Sequence, residues 1–227
     1  MKIFDFFRRR AHASVVSLAD AYYGQEGEDA VLNAFLQDHS SGKGFFVDIG
    51  AHHPVRFSNS WRFYQQGWRG INIDPTPGSM AIFEDLRSED INLELAVSVK
   101  EGKRKFFCYN EPALNGIDND RTVELRETHY RLEAVVDVPT RPLAGILNEA
   151  AHLFLHPNFI SIDVEGHEME VLMSNNWDLF TFDFVLVEQR IDDLTRIGQS
   201  EIYKYLLSLN YTPVACTGRT VIYRKTS

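Results

Sequence analysis

Four short apolar runs along this chain each hold or meet a carboxylate: Phe45-Phe46-Val47-Asp48-Ile49, Gly70-Ile71-Asn72-Ile73-Asp74, Phe159-Ile160-Ser161-Ile162-Asp163 and Phe184-Val185-Leu186-Val187-Glu188. Runs this short and this rich in β-branched residues read as buried strands of a parallel sheet. Between them the spacing turns helical. Over 25–36, Val31, Ala34 and Phe35 recur behind Glu26, Glu28 and Asp29, acids that suit a helix amino terminus. Further helices are expected over 58–66, closed by Gly67, and over 79–86, 143–153, 168–174 and 200–209. The stretch 91–99 reads as one more strand, 104–109 and 135–139 as others, and 115–120 as a polar loop suited to substrate contacts. Segments 212–216 and 220–224 flank Thr217-Gly218-Arg219 and read as an antiparallel hairpin.

This alternation describes an α/β fold: a mostly parallel sheet, helices on both faces and a closing C-terminal antiparallel hairpin. The expected organisation is a single domain over 1–227, with 1–40 as an N-terminal helical extension. Asp48, Asp74, Asp163 and Glu188 then gather on one rim of one sheet. That is where open α/β sheets bind ligands.

Composition narrows the partners. The balance of 23 Lys and Arg against 32 Asp and Glu, a formal charge of -9, argues against a broad nucleic-acid footprint. Cys108 and Cys216 lie far apart without a Cys-x-x-Cys spacing, which indicates neither a zinc knuckle nor a disulfide framework and fits a reduced cytoplasmic setting. No segment approaches the roughly 20 apolar residues of an integral membrane span. Ile3, Phe6 and Phe7 share a helical face ahead of Arg8, Arg9 and Arg10, read here as a first helix packed on its own domain, with a membrane-surface helix as the alternative.

The opening strand turns at Gly50, and Asp74 ends the next strand, placed like the acid that holds a ribose diol about 20 residues beyond a glycine loop. A dinucleotide fingerprint would need glycines two and five positions after Gly50, where this chain has His52 and Val55. A pyrophosphate is poorly provided for. A nucleoside with an amino-acid tail and no phosphate, S-adenosylmethionine, fits better: Asp48 near its ammonium, Gly50 and Ala51 against its tail, Asp74 on its ribose.

Here the chain resembles a known family. Gly24-Gln25-Glu26-Gly27-Glu28-Asp29, Phe46-Val47-Asp48-Ile49-Gly50-Ala51-His52, Gly67-Trp68-Arg69-Gly70-Ile71-Asn72-Ile73-Asp74-Pro75 and Phe159-Ile160-Ser161-Ile162-Asp163-Val164-Glu165-Gly166-His167-Glu168 are similar to stretches of the FkbM-type S-adenosylmethionine-dependent methyltransferases. The likeness runs over 23–224. It implies a class I methyltransferase (Rossmann-like) sheet and O-methylation of a hydroxyl on a small-molecule or glycan acceptor, such as a sugar or natural product. His52, Pro75, Ala96 and Asp163 join Asp48, Gly50, Ala51 and Asp74 as expected cofactor contacts. The chain departs from the family at His53-Pro54, where Asp-Gly-like residues are common, and at Asn72 and Asp74, where an apolar residue and a glutamate are frequent.

An alcohol needs its proton removed as it attacks. His167 and Glu165 are the base candidates, and Glu188 is placed to orient the base or the acceptor. A divalent metal on Asp163, Glu165 and Glu188 stays open, since hard oxygen ligands suit magnesium or manganese. His52-His53 lacks zinc-site spacing. Gln25 and Asp29 either cover the methionine end of the cofactor or pack and cap. Tyr109, Tyr130 and Trp177 either stack on a sugar or belong to the core. Two other functions remain: a nicotinamide-dependent oxidoreductase, from the glycine-acid spacing alone, and a methyltransferase-like binding module without turnover.

Overall fold

Strands buried along nearly their whole length build the centre of the molecule. The computed structural model describes residues 21–36, 43–117, 129–154, 156–191 and 193–226; the expected first helix and part of the 115–120 loop lie outside them. In chain order come α1 (Glu28–Leu36), β1 (Phe45–Ile49), α2 (Trp61–Gln65), β2 (Arg69–Ile73), α3 (Ser79–Leu86) and β3 (Ile91–Leu93). Next come β4 (Ala96–Val97), β5 (Gly102–Tyr109) and β6 (Leu132–Arg141). After α4 (Leu143–Ala150), β7 (Phe159–Ile162), α5 (Glu168–Met173), β8 (Phe184–Glu188) and α6 (Glu201–Ser208), the hairpin β9 (Tyr211–Cys216) and β10 (Thr220–Lys225) closes the order.

Seven strands form one sheet in the order β3-β2-β1-β7-β8-β10-β9. The first five pair in parallel, and β10 runs antiparallel to both β8 and β9. The expected mostly parallel sheet with a closing hairpin is present. Its hairpin is folded inward: β9 takes the edge and β10 returns beside β8.

Because side chains alternate across a strand, the fully buried β1 splits between two cores. Phe45, Val47 and Ile49 meet Leu143, Ile146 and Leu147 of α4 and Val171 and Leu172 of α5. Phe46 faces the other way, with Leu32 and Leu36 of α1 and Phe63 of α2. Helices therefore cover both faces. α1, expected in an N-terminal extension, packs directly on this second core. No helix among the described residues is long and apolar enough to cross a membrane.

The stretch 91–99 is not one strand. The chain turns after Leu93, whose carbonyl oxygen accepts from both Asp74 N (3.1 Å) and Leu95 N (3.2 Å). Ala96 and Val97 then join a different sheet, of order β4-β6-β5, opposite Thr140 and Arg141. Alternation continues on both sides of the turn, and no glycine or proline marks it, so the sequence reads through. This small sheet stands over the carboxyl rim of the large one.

Candidate functional site

The rim is knitted together at Gly50. It has a φ of 79°, in the left-handed region, and the N–H groups of Gly50 and Ala51 both donate to the Ile73 carbonyl, at 2.9 and 3.1 Å. A Cβ on Gly50 would stand 1.7 Å from the Asp163 carbonyl oxygen. Only glycine lets the ends of β1, β2 and β7 meet this closely.

Asp74 ties the next two loops. Its Oδ2 accepts from His52 N at 2.9 Å and its Oδ1 from Thr76 N at 2.8 Å. Each oxygen keeps a further lone pair for a ligand hydroxyl. His52 has a φ of 52°. Burial pushes its imidazole below the ordinary histidine range, against the pull of Asp74, and Arg56 pushes the same way as burial. A neutral ring results at neutral pH.

Six residues expected on the cofactor side share one cleft: Gly50, His52, Asp74, Pro75, Ala96 and Asp163. Two base candidates, Glu165 and His167, line it as well. The cleft holds about 820 Å³ with the open space at its mouth. Three expected site residues are not in its wall. Asp48 shares the Phe46 face of β1 and is buried, accepting from Ser60 Oγ at 2.5 Å. The Ala51 side chain packs on Met80 and Phe83, leaving its backbone as the part that shapes the loop. Glu188 stands one layer behind, beside Asp163.

Those two acids and Glu165 form a corner in which one carboxylate oxygen from each lies within 4.8 Å of the others. The pairing of Ile162 with Val187 brings the next residues, Asp163 and Glu188, side by side. Burial, and then the charges of Glu188 and Glu165, hold the Asp163 carboxyl well above the usual range. Glu188 is raised too, by burial and then by Glu165 and Glu168. Two carboxyl groups this close do not readily ionise together, so the pair holds a proton more firmly than either acid would alone. The same three oxygens could hold a hard divalent ion.

The turn that aims Glu165 is unusual in its backbone. Glu165 and Gly166 have φ of 59° and 104°. A left-handed non-glycine residue costs about 1–2 kcal/mol. Glu168 supports it, with Oε1 accepting from Val164 N (3.2 Å) and Gly166 N (2.9 Å). His167 Nδ1 lies 3.4 Å from Glu170 Oε2. Burial raises the Glu170 carboxyl, but hydrogen bonds from Ser98 Oγ and Arg104 Nη1, both 2.6 Å, outweigh it and hold the group below its ordinary value. The small sheet is thereby pinned to α5 through Glu170.

That sheet and its loops bring wall residues the sequence reading missed, Val97 and Phe106, together with Leu95 and Phe57 from nearer loops, whereas Ile117 belongs to the expected 115–120 loop. Asn115 and Gly116, from the loop expected to meet substrate, line the cleft as well, and Asn115 Nδ2 donates to Thr76 Oγ1 at 3.2 Å. Gln25 reaches the cleft. Asp29 does not: it is buried, accepting from Tyr23 N, Gly24 N and Arg62 Nε, each at 3.1 Å. Trp177 is a core residue, donating to the Leu172 carbonyl at 2.8 Å, and Tyr109 is buried. Tyr130 packs against His129, with ring centroids 4.1 Å apart.

The Methyltransferase FkbM domain matches residues 48–213 of the chain. No curated protein matches it. A similar solved structure is that of the Burkholderia thailandensis 1,6-didemethyltoxoflavin-N1-methyltransferase with bound 1,6-didemethyltoxoflavin and S-adenosylhomocysteine. It is 13% identical, with 98% of this chain and 86% of that chain covered at a TM-score of 0.44.

Proposed function

Because this chain belongs to the FkbM methyltransferase family, we propose that it uses S-adenosylmethionine to methylate a hydroxyl of a sugar, glycan or other small natural product. One observation carries the reading: a single cleft has Gly50 and Asp74 on the cofactor side and Glu165 and His167 within the same wall. The cofactor supplies a methyl group on a positively charged sulfur, open to direct displacement. Asp74 holds the ribose diol through the lone pairs its loop contacts leave over, and the Gly50 turn lets backbone approach the amino-acid tail. His167 or Glu165 takes the hydroxyl proton as the oxygen attacks, and the cleft walls align acceptor and donor. Asp163 and Glu188 set the charge of that corner. The oxidoreductase reading loses its footing, since the loop lacks the pyrophosphate glycines and the family is a methyltransferase family. Free Cys108 and Cys216 support a reducing cytoplasmic setting.

Calorimetric titration tests the cofactor half. S-adenosylhomocysteine is expected to bind, and Asp74→Ala to weaken it by roughly ten- to a hundredfold, about 1.4–2.8 kcal/mol. A flat titration with both S-adenosylmethionine and S-adenosylhomocysteine would sink the proposal. Labelled methyl transfer to hydroxylated and aminated acceptors tests the rest. Label on nitrogen acceptors alone overturns O-methylation, and no transfer to any acceptor favours a binding module.

A further inference from the structure

Behind the cleft lies a charged network that the proposed chemistry does not use. Arg87, just after α3, is completely buried. Its Nε donates to Asp90 Oδ2 at 2.9 Å, and its Nη2 lies 2.9 Å from the same oxygen. Asp90 in turn accepts from Gly70 N (2.9 Å) and Asn72 Nδ2 (3.1 Å), which fixes the pair to β2. On its other side Arg87 Nη1 donates to Ser60 Oγ at 3.0 Å and reaches the Pro54 carbonyl at 3.5 Å, while Ser60 Oγ donates to Asp48 Oδ2. The guanidinium also lies over the Phe46 and Tyr64 rings, 5.1 and 5.2 Å from their centroids. Removing such charges from water often costs as much as their pairing returns, so the network does not explain itself as a source of stability.

Its position is more informative. Pro54 and Ser60 bracket the far side of the loop that sends His52 and Phe57 into the cleft wall, and both of those residues are left-handed, with φ of 52° and 58°. Non-glycine residues keep such a backbone only when their surroundings hold it. Asp74 clamps the loop at His52 N. Arg87 is the second clamp, joining the loop to β2 through Asp90 and to β1 through Ser60 and Asp48. A loop ordered only part of the time binds its ligand more weakly by the fraction of time it is ordered.

We propose that Arg87 is a positioning residue for cofactor binding: by gripping Pro54 and Ser60 it holds the 52–60 loop in its binding conformation before the ligand enters. This rests on the reading of the cleft as an S-adenosylmethionine site. The test titrates Arg87→Met, Arg87→Lys and Ser60→Ala with S-adenosylhomocysteine, well below their unfolding temperatures, and follows amide hydrogen exchange in the loop. Arg87→Met is expected to raise Kd roughly tenfold and to speed exchange at His52, Val55 and Arg56. Arg87→Lys, which keeps the charge but not the fork of donors, should recover part of that loss. Ser60→Ala, which leaves the Arg87–Asp90 pair intact, should raise Kd by about threefold. Variants that melt earlier yet bind and exchange like the unaltered protein would overturn the proposal and leave Arg87 a purely structural residue. If Arg87→Met does not fold, Ser60→Ala decides by the same criterion. Failure of the unaltered protein to bind overturns the cofactor reading, and this inference with it; equal binding by protein and variants overturns the inference alone.

Discussion

Gly50→Ala is expected to abolish measurable S-adenosylhomocysteine binding and to destabilise the fold by about 2–5 kcal/mol, left-handed strain and overpacking together. The added methyl carbon would lie 1.7 Å from the Asp163 carbonyl oxygen, and backbone cannot swing aside as a side-chain tip can. Relief requires β1 and β7 to part at their carboxyl ends, which pulls the Gly50 and Ala51 N–H groups off the Ile73 carbonyl. Asp163 would move with its own backbone, so the damage reaches the acid corner as well as the loop after Gly50. Chemical unfolding gives the stability term and calorimetry the binding term. An alanine variant that binds normally and unfolds at the same denaturant midpoint would refute this account of the rim.

Asp163→Asn should cut methyl transfer by about tenfold, because it alters the charge of the corner in which Glu165 stands, the base itself being left in place. It should also change how stability depends on pH, in a direction the raised carboxyl dictates. Unfolded, Asp163 gives up its proton near pH 4. Folded, it keeps the proton to higher pH, because burial and then its acidic neighbours disfavour the charge. Between those two values the native state binds more protons than the unfolded state, so stability falls as pH rises through the window. Asparagine cannot ionise, yet its amide can still donate to Glu188. The variant should therefore lose that downward slope and gain stability relative to the unaltered protein at neutral pH while losing turnover, as expected where an active site carries strain for function. Thermal unfolding of both proteins from acidic to mildly alkaline pH checks the slope, and initial rates of labelled transfer check the activity. Parallel stability curves would show that Asp163 is an ordinary ionised carboxylate.

The predicted element over 79–86 coincides with α3, and the apolar runs at 45, 159 and 184 are strands of the large sheet, because each carries its period within a few residues. Alternation puts Asp48 on the Phe46 face, opposite Ile49, which lines the cleft, so its carboxylate meets Ser60 instead of the cleft wall. Asp29 was weighed between a cofactor and a capping role, and its three buried contacts make it an anchor. Phe57 and Phe106 left no readable mark. Their contribution depends on how a loop and a second sheet fold back over the rim, and an isolated apolar residue looks the same in a core as in a ligand wall.

By itself the sequence determined the alternation of strands and helices, the glycine at the end of β1, the acid at the end of β2 and the absence of glycines suited to a pyrophosphate. These are local facts, set by side-chain period, backbone freedom and charge within one turn or one strand. Only the tertiary structure decided that 91–99 is divided between two sheets, that β10 inserts between β8 and β9, that Asp163 and Glu188 stand side by side with raised carboxyls, and that Arg87 grips Pro54 and Ser60 of the 52–60 loop. Each of these depends on which distant segments become neighbours and how much water is removed between them. Strand order and burial are properties of the whole folded chain, and no window of sequence contains them.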